Sequence, residues 1–167
     1  MKTMLMLLLA ALPSLSFACD CRGYNIEEAF NEYEIVFRGV VKSTGSKWVW
    51  EKGYWFPNTL NKVKMEVIKS YKGKQDKNTI VFTRPTINAC GYPFKIGVEY
   101  VVFAYIGTKE SANNGWEVEG GAMVSSCSPT IHYKKVESIH ERERKYVVDF
   151  LESNSYKVKQ RMESPQK

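Results

Sequence analysis

The sequence predicts a mainly β fold: a five-stranded Greek-key barrel of OB type, with a short helix before the strands and a second helix after them. Three observations predict it. Five short segments alternate or run apolar as strands do, and turn residues separate them. Gly39 interrupts the first of them, where a small closed sheet needs a bulge or a tight bend. Helical periodicity marks the two ends, in residues 25–33 and 133–151.

Taken in order, the chain opens with a segment that does not belong to the fold. Met1-Lys2 is a short positive start, residues 4–12 are an unbroken apolar run, and Ser16-Phe17-Ala18 places small residues before Cys19. This is the pattern of a cleavable secretory signal over residues 1–18, too short for a membrane span. Cleavage after Ala18 makes Cys19 the first residue of the mature chain. The same junction also reads as a lipid-attachment signal at Cys19. However, Ser16 stands where that signal usually carries Leu, and a lipid on Cys19 would leave an odd number of thiols.

Residues 25–33 read as a helix. Asn25 is the N-cap, Glu28 completes a capping box, and Ile26, Ala29, Phe30 and Tyr33 form one apolar stripe. A strand over 34–43 follows. Residues 44–61 are rich in aromatics, and Trp48, Trp50, Tyr54 and Trp55 suggest the binding tip of a long hairpin. Residues 62–70 alternate, with Val63, Met65 and Val67 on one side and Lys62, Lys64 and Glu66 on the other, as a half-buried strand does. A third strand is expected over 79–84, ending at Pro85. A fourth, nearly all apolar and so central, is expected over 98–106. A hairpin loop over 107–115 and a fifth strand over 116–123 come next. The helix over 133–151 buries Val136, Ile139, Val147, Phe150 and Leu151. The polar tail begins at Asn154, which gives a domain over 19–153 and a tail over 154–167.

Composition bounds the function. The 167 residues suit one domain, and the charge of +6 is too mixed in sign along the late helix to mark a polyanion binder. Four cysteines, Cys19, Cys21, Cys90 and Cys127, form an even set in a secreted chain and point to two disulfides. No intrinsic metal site is expected: Cys19-x-Cys21 lacks a zinc-knuckle spacer, and His132 and His140 are too far apart to form a ligand pair. The absence of Cys-x-x-Cys argues against redox catalysis. No nucleophile motif or ordered triad points to an enzyme, and no cofactor is implied. Secretion makes nucleic acid an improbable partner for the OB-type surface.

Several motifs, in order and spacing, resemble the inhibitory domain of tissue inhibitors of metalloproteinases and, more broadly, the netrin-like module family. These are Cys19-Asp20-Cys21, Glu28-Ala29-Phe30 before Ile35-Val36-Phe37-Arg38, Ser70-Tyr71-Lys72-Gly73, Thr83-Arg84-Pro85 before Cys90-Gly91, Gly97-Val98-Glu99-Tyr100, and Cys127-Ser128-Pro129-Thr130. The resemblance covers roughly residues 19–150. It implies the pairings Cys19–Cys90 and Cys21–Cys127. It also implies that the Cys19 α-amine and carbonyl would chelate the catalytic zinc of a metalloprotease, the expected partner. Asp20 would enter the protease specificity pocket, with Ile87, Asn88 and Ala89 beside it. Where the family favours Thr or Ser in that pocket, this chain carries Asp20, whose carboxylate needs a cationic partner there. The family's third inhibitory-domain disulfide and its second, smaller domain have no counterpart cysteines here. The alternative is a secreted or periplasmic binding or adhesion module, without inhibitory activity, that uses the aromatic hairpin 44–61 to hold an extracellular or envelope protein.

Overall fold

The computed structural model describes residues 19, 21, 23–85, 90–133 and 144–154. Among them, α1 (Ile26–Glu32) precedes β1 (Ile35–Val49), β2 (Asn58–Lys72), β3 (Asn78–Thr83) and β4 (Glu99–Ile106). Then come α2 (Lys109–Asn113), β5 (Ala122–Val124), β6 (Ile131–His132) and α3, the helix over 144–154. The strands pair in the order β1-β2-β3-β5-β4-β6, and β1 also pairs with β4. Five strands therefore close into a ring, with β6 added outside it on β4.

Closure follows from how β1 is used. Its first part pairs with β4 from Ile35↔Ala104 to Val40↔Glu99, while its whole length pairs with β2. One strand can serve two neighbours in this way only if it bends. The β1–β2 register shifts at three places, including Arg38/Gly39. A Cβ on Gly39 would stand 2.9 Å from the Glu66 carbonyl oxygen and 3.0 Å from the Phe37 ring, so the close approach at the bend needs glycine.

Alternation along β4 builds two cores. Tyr100, Val102 and Ala104 face the ring interior with Phe37, Val41, Val63, Met65 and Val81. Val101 and Phe103 face outward and are covered by Ile26, Ala29 and Tyr33 of α1 and Leu151 of α3. A strand buried on both faces reads as a continuous apolar run, as residues 100–104 do. The Tyr33 and Phe103 rings meet edge to face at 5.9 Å, and Phe30 meets Phe150 at the same distance. Asn25 caps α1, its side chain accepting from the Glu28 N–H at 2.8 Å. Arg38 links β1 to β4 through a 2.9 Å ion pair with Glu99, and its guanidinium stacks 4.2 Å above the Tyr133 ring.

Several sequence expectations need correction. The first strand does not stop at 43. It runs to Val49 and pairs with β2 as far as Val49↔Asn58, so the hairpin expected over 44–61 has Trp48 in its first strand and residues 50–57 in its connection. Residues 107–115 are not a simple hairpin loop: Thr108 caps the short α2, accepting from the Ser111 N–H at 3.2 Å. The fifth strand is not 116–123 but Ala122–Val124. Glu117 is turned inward, where its carboxylate accepts from the Tyr105 hydroxyl at 3.1 Å and the Thr108 N–H at 3.0 Å, and this takes residues 116–118 out of a ladder. Tyr133 lies in a bend before the last helix, which includes Asn154. The expected helical residues 134–143, the expected tail beyond 154 and the expected leader over 1–18 lie outside the described residues.

Candidate functional site: a disulfide-anchored ridge and an aromatic arm

The ridge is built by two neighbouring parallel strands. β3 and β5 run side by side in the same direction, with Thr83 opposite Val124. The loops that follow them therefore leave the sheet at the same end. One carries Cys90 and the other Cys127. Gly91 bridges Ser125, and the Ser126 N–H donates to the Cys90 carbonyl at 2.8 Å. Cys19 is bonded to Cys90 and Cys21 to Cys127, closing separations of 71 and 106 residues. Both N-terminal cysteines are exposed. The Cys19–Cys90 bond uses the sulfur that a lipid on Cys19 would need.

Buried hydroxyls anchor the two loops from below. Thr83, buried at the end of β3, accepts from the Tyr92 N–H at 2.7 Å. The Ser128 hydroxyl donates to the Ser125 carbonyl at 2.8 Å and lies 3.0 Å from the Thr130 hydroxyl. Thr130 in turn accepts from the Phe103 N–H at 3.1 Å, on the central strand. The backbone of the Cys90 loop is equally constrained. Cys90 has φ of 57°, in the left-handed region, and a Cβ on Gly91 would overlap the Arg84 carbonyl. Behind the loop, Tyr92 packs on Phe94 and Tyr100. Burial, and then the neighbouring Tyr100 phenol, push the Tyr92 hydroxyl well above its ordinary range, so it stays neutral and structural.

The aromatic arm is the far end of the β1–β2 hairpin. Val49 points inward and is buried with Leu60 and Met123. Trp48 and Trp50, one residue either side of it, are 64% exposed. Tyr54, Trp55 and Phe56 follow at 67%, 90% and 83% exposure. The backbone beneath is tied down. Glu51 bridges Asn114, and the Lys52 N–H donates to the Asn113 carbonyl at 2.9 Å. Gly115 makes room for this, since a Cβ there would come within 2.7 Å of the Asn58 side chain.

Of the residues singled out from sequence, the structure joins Cys19 to Cys90 and Cys21 to Cys127, and places Trp48, Trp50, Tyr54 and Trp55 at the far end of the β1–β2 hairpin. Asp20, Ile87, Asn88 and Ala89 lie outside the described residues. The expected tip residues leave out Phe56, which belongs to the same hairpin segment and is 83% exposed. Sequence reasoning also missed Thr83, Ser128 and Thr130, whose roles depend on long-range burial. Among the described residues, no three His, Cys, Asp or Glu side chains form a metal-binding group, and no helix is long and apolar enough to cross a membrane.

Comparison with known proteins gives a partial, distant similarity. "Metalloproteinase inhibitor 2" of Canis lupus familiaris is 30% identical over 101 residues, which is 58% of this chain and 45% of that protein. The protein of the same name from Cavia porcellus is 28% identical over 101 residues, again 58% of this chain and 45% of that protein. The chain thus spans less than half the length of these relatives. No family model matches it.

Proposed function

We propose that this chain is a secreted, inhibitor-like protein directed at a zinc metalloprotease, built on an OB-type Greek-key domain over 19–153. In this reading the leader 1–18 is removed and Cys19 becomes the N-terminal residue. The observation that carries the reading is the double anchoring of exposed Cys19 and Cys21 to two adjacent, buried-hydroxyl-supported loops. The similarity to metalloproteinase inhibitor 2 supports it. So does the presence of two disulfides, which persist in oxidising compartments.

The chemistry needs a ligand that is neutral at physiological pH and held still. A free α-amine has a pKa of about 7.7–8.0, so its deprotonation costs little near neutrality. The amine and carbonyl of one residue make a five-membered chelate on a catalytic zinc, displacing the water that occupies its open position. Two bridges one residue apart remove the freedom this segment would otherwise lose on binding. Asp20 then sets the target: its carboxylate requires a protease whose specificity pocket offers a cation. Ile87, Asn88 and Ala89, which precede Cys90 in the sequence, would contact the same protease cleft.

Adding one alanine before Cys19 tests this. Inhibition is expected to disappear while the thermal midpoint stays unchanged. Unchanged inhibition excludes the chelate.

The exposure of the arm favours a second reading, in which the hairpin over 44–61 is a binding or adhesion tip. There, Trp50→Ala and Trp55→Ala abolish partner binding and the alanine extension has no effect.

A further inference from the structure

We propose that the aromatic arm is a membrane-surface anchor that seats in the interfacial region of an anionic phospholipid bilayer. The inference rests on the second reading, the hairpin as a binding tip, and is independent of the Cys19 chemistry.

Three observations carry it. The first is apolar area. Trp48, Trp50, Tyr54, Trp55 and Phe56 are each at least 64% exposed within nine consecutive residues. At ordinary aromatic side-chain areas their exposed surfaces sum to roughly 700 Å², far more than singly scattered apolar residues leave in water. The second is preorganisation. The Glu51–Asn114 bridge and the Lys52–Asn113 hydrogen bond hold the tip's backbone without covering these rings. They are therefore displayed before any partner arrives, and docking costs little ordering entropy.

The third is charge. Residues 42–64 contain Lys42, Lys47, Lys52, Lys62 and Lys64 against Glu51 alone. Lys42 is paired with Glu66, and Glu51 accepts from the Asn58 side chain at 3.4 Å. Lys47 and Lys52 flank the tryptophans in sequence, and both are exposed. Trp and Tyr rings, with an apolar body and a polar edge, prefer the headgroup boundary of a bilayer. Lysines beside them meet lipid phosphates, while their stems lie along apolar surface. A protein partner would need shape complementarity, and a sugar would need paired polar donors around a ring. The arm instead offers aromatics with a cationic margin, the chemistry of an anionic interface.

The test is co-sedimentation of the isolated protein with vesicles of phosphatidylcholine, with and without phosphatidylglycerol, followed also by tryptophan emission. The expected result is partition into the phosphatidylglycerol vesicles, a blue shift on binding, and weakening by salt. Trp50→Ser with Trp55→Ser should reduce partition about tenfold or more. Lys47→Gln and Lys52→Gln should each reduce it about fivefold. The apolar run 4–12, where present, is common to all these proteins, so the difference between variants isolates the arm. Equal partition into both compositions overturns the proposal. So does partition that survives the tryptophan pair, and so does tip-dependent retention on a carbohydrate or protein column without vesicle binding. Protease inhibition measured on the same variants separates a failure here from a failure at Cys19.

Discussion

The Cys19–Cys21 ridge and the aromatic arm are both exposed, yet they are held by different means. The ridge has little apolar cover of its own. Its position comes from two covalent bonds to loops that are themselves fixed by the buried hydroxyls of Thr83, Ser128 and Thr130, the last of which accepts from the central strand. The arm carries the most exposed aromatics among the described residues, and its position comes from backbone pairing along β1 and β2. Breaking the ridge should therefore cost stability. Stripping the arm should cost almost none. Sites whose geometry must be kept to a fraction of an ångström, such as a chelate, suit the first construction. Sites that need area rather than precision suit the second.

Breaking that contrast at its strongest point means removing a bridge. Cys21→Ser with Cys127→Ser opens a 106-residue separation. Chain entropy then predicts a loss of about 4–5 kcal/mol, measured as a lower denaturation midpoint. The aromatic arm should keep its tryptophan emission until global unfolding. A smaller loss is expected from Thr130→Val, which removes the hydroxyl that accepts from the buried Phe103 N–H. The cost is about 1–3 kcal/mol, read in the same denaturation experiment. Inhibition, if the ridge is the inhibitory element, should weaken alongside it.

A weaker effect is expected from pH. Burial raises the Glu152 carboxyl, but hydrogen bonds from Lys69 and Tyr71, with the Lys69 and Arg38 charges, outweigh it and hold it below its ordinary value of 4.5. A depressed carboxylate stabilises the fold above that value, and the contribution is lost as pH falls through the lower folded value. Glu152→Gln should flatten the acid limb of the stability profile. The change should stay below about 1 kcal/mol, because Lys69 and Glu152 are 35% and 41% exposed. The smallest stability effect is expected from Trp50→Ser with Trp55→Ser, within about 0.5 kcal/mol by thermal unfolding. A larger loss would show that the arm is part of the core after all.

Local pattern made some of this readable. The stripe Ile26, Ala29, Tyr33 does face the outer core, the run 100–104 is the central strand, and Val63 and Met65 point inward. The aromatic-rich segment stood out as a long hairpin, although the end of its first strand was set too early. Trp48-Val49-Trp50 is an apolar run without alternation, although only Val49 is buried, so it gives no period-2 signal to place the end of β1. Long-range features were the least readable. Nothing near residue 122 says that a three-residue strand pairs parallel with β3, because that pairing is set by ring closure. Glu117 breaks the expected fifth strand through hydrogen bonds to Tyr105 and Thr108, and no local periodicity reveals an inward carboxylate. Ser128 and Thr130 look like loop residues in the sequence, and Thr83 like an ordinary strand end, yet all three act as buried anchors in the fold.

The central claim is that the Cys19 α-amine is the zinc-directed group, and selective carbamylation tests it most directly. Near neutral pH, cyanate reacts first with an α-amine, whose pKa lies about 2.5 units below that of lysine. The protein with a free Cys19 amine is titrated against zinc metalloproteases that have cationic specificity pockets, before and after the reaction. Mass analysis confirms one carbamyl group at Cys19 and intact disulfides. The expected result is inhibition before modification and its loss afterwards, with an unchanged thermal midpoint. Full inhibition by the carbamylated protein, or none by the unmodified one, would contradict the claim.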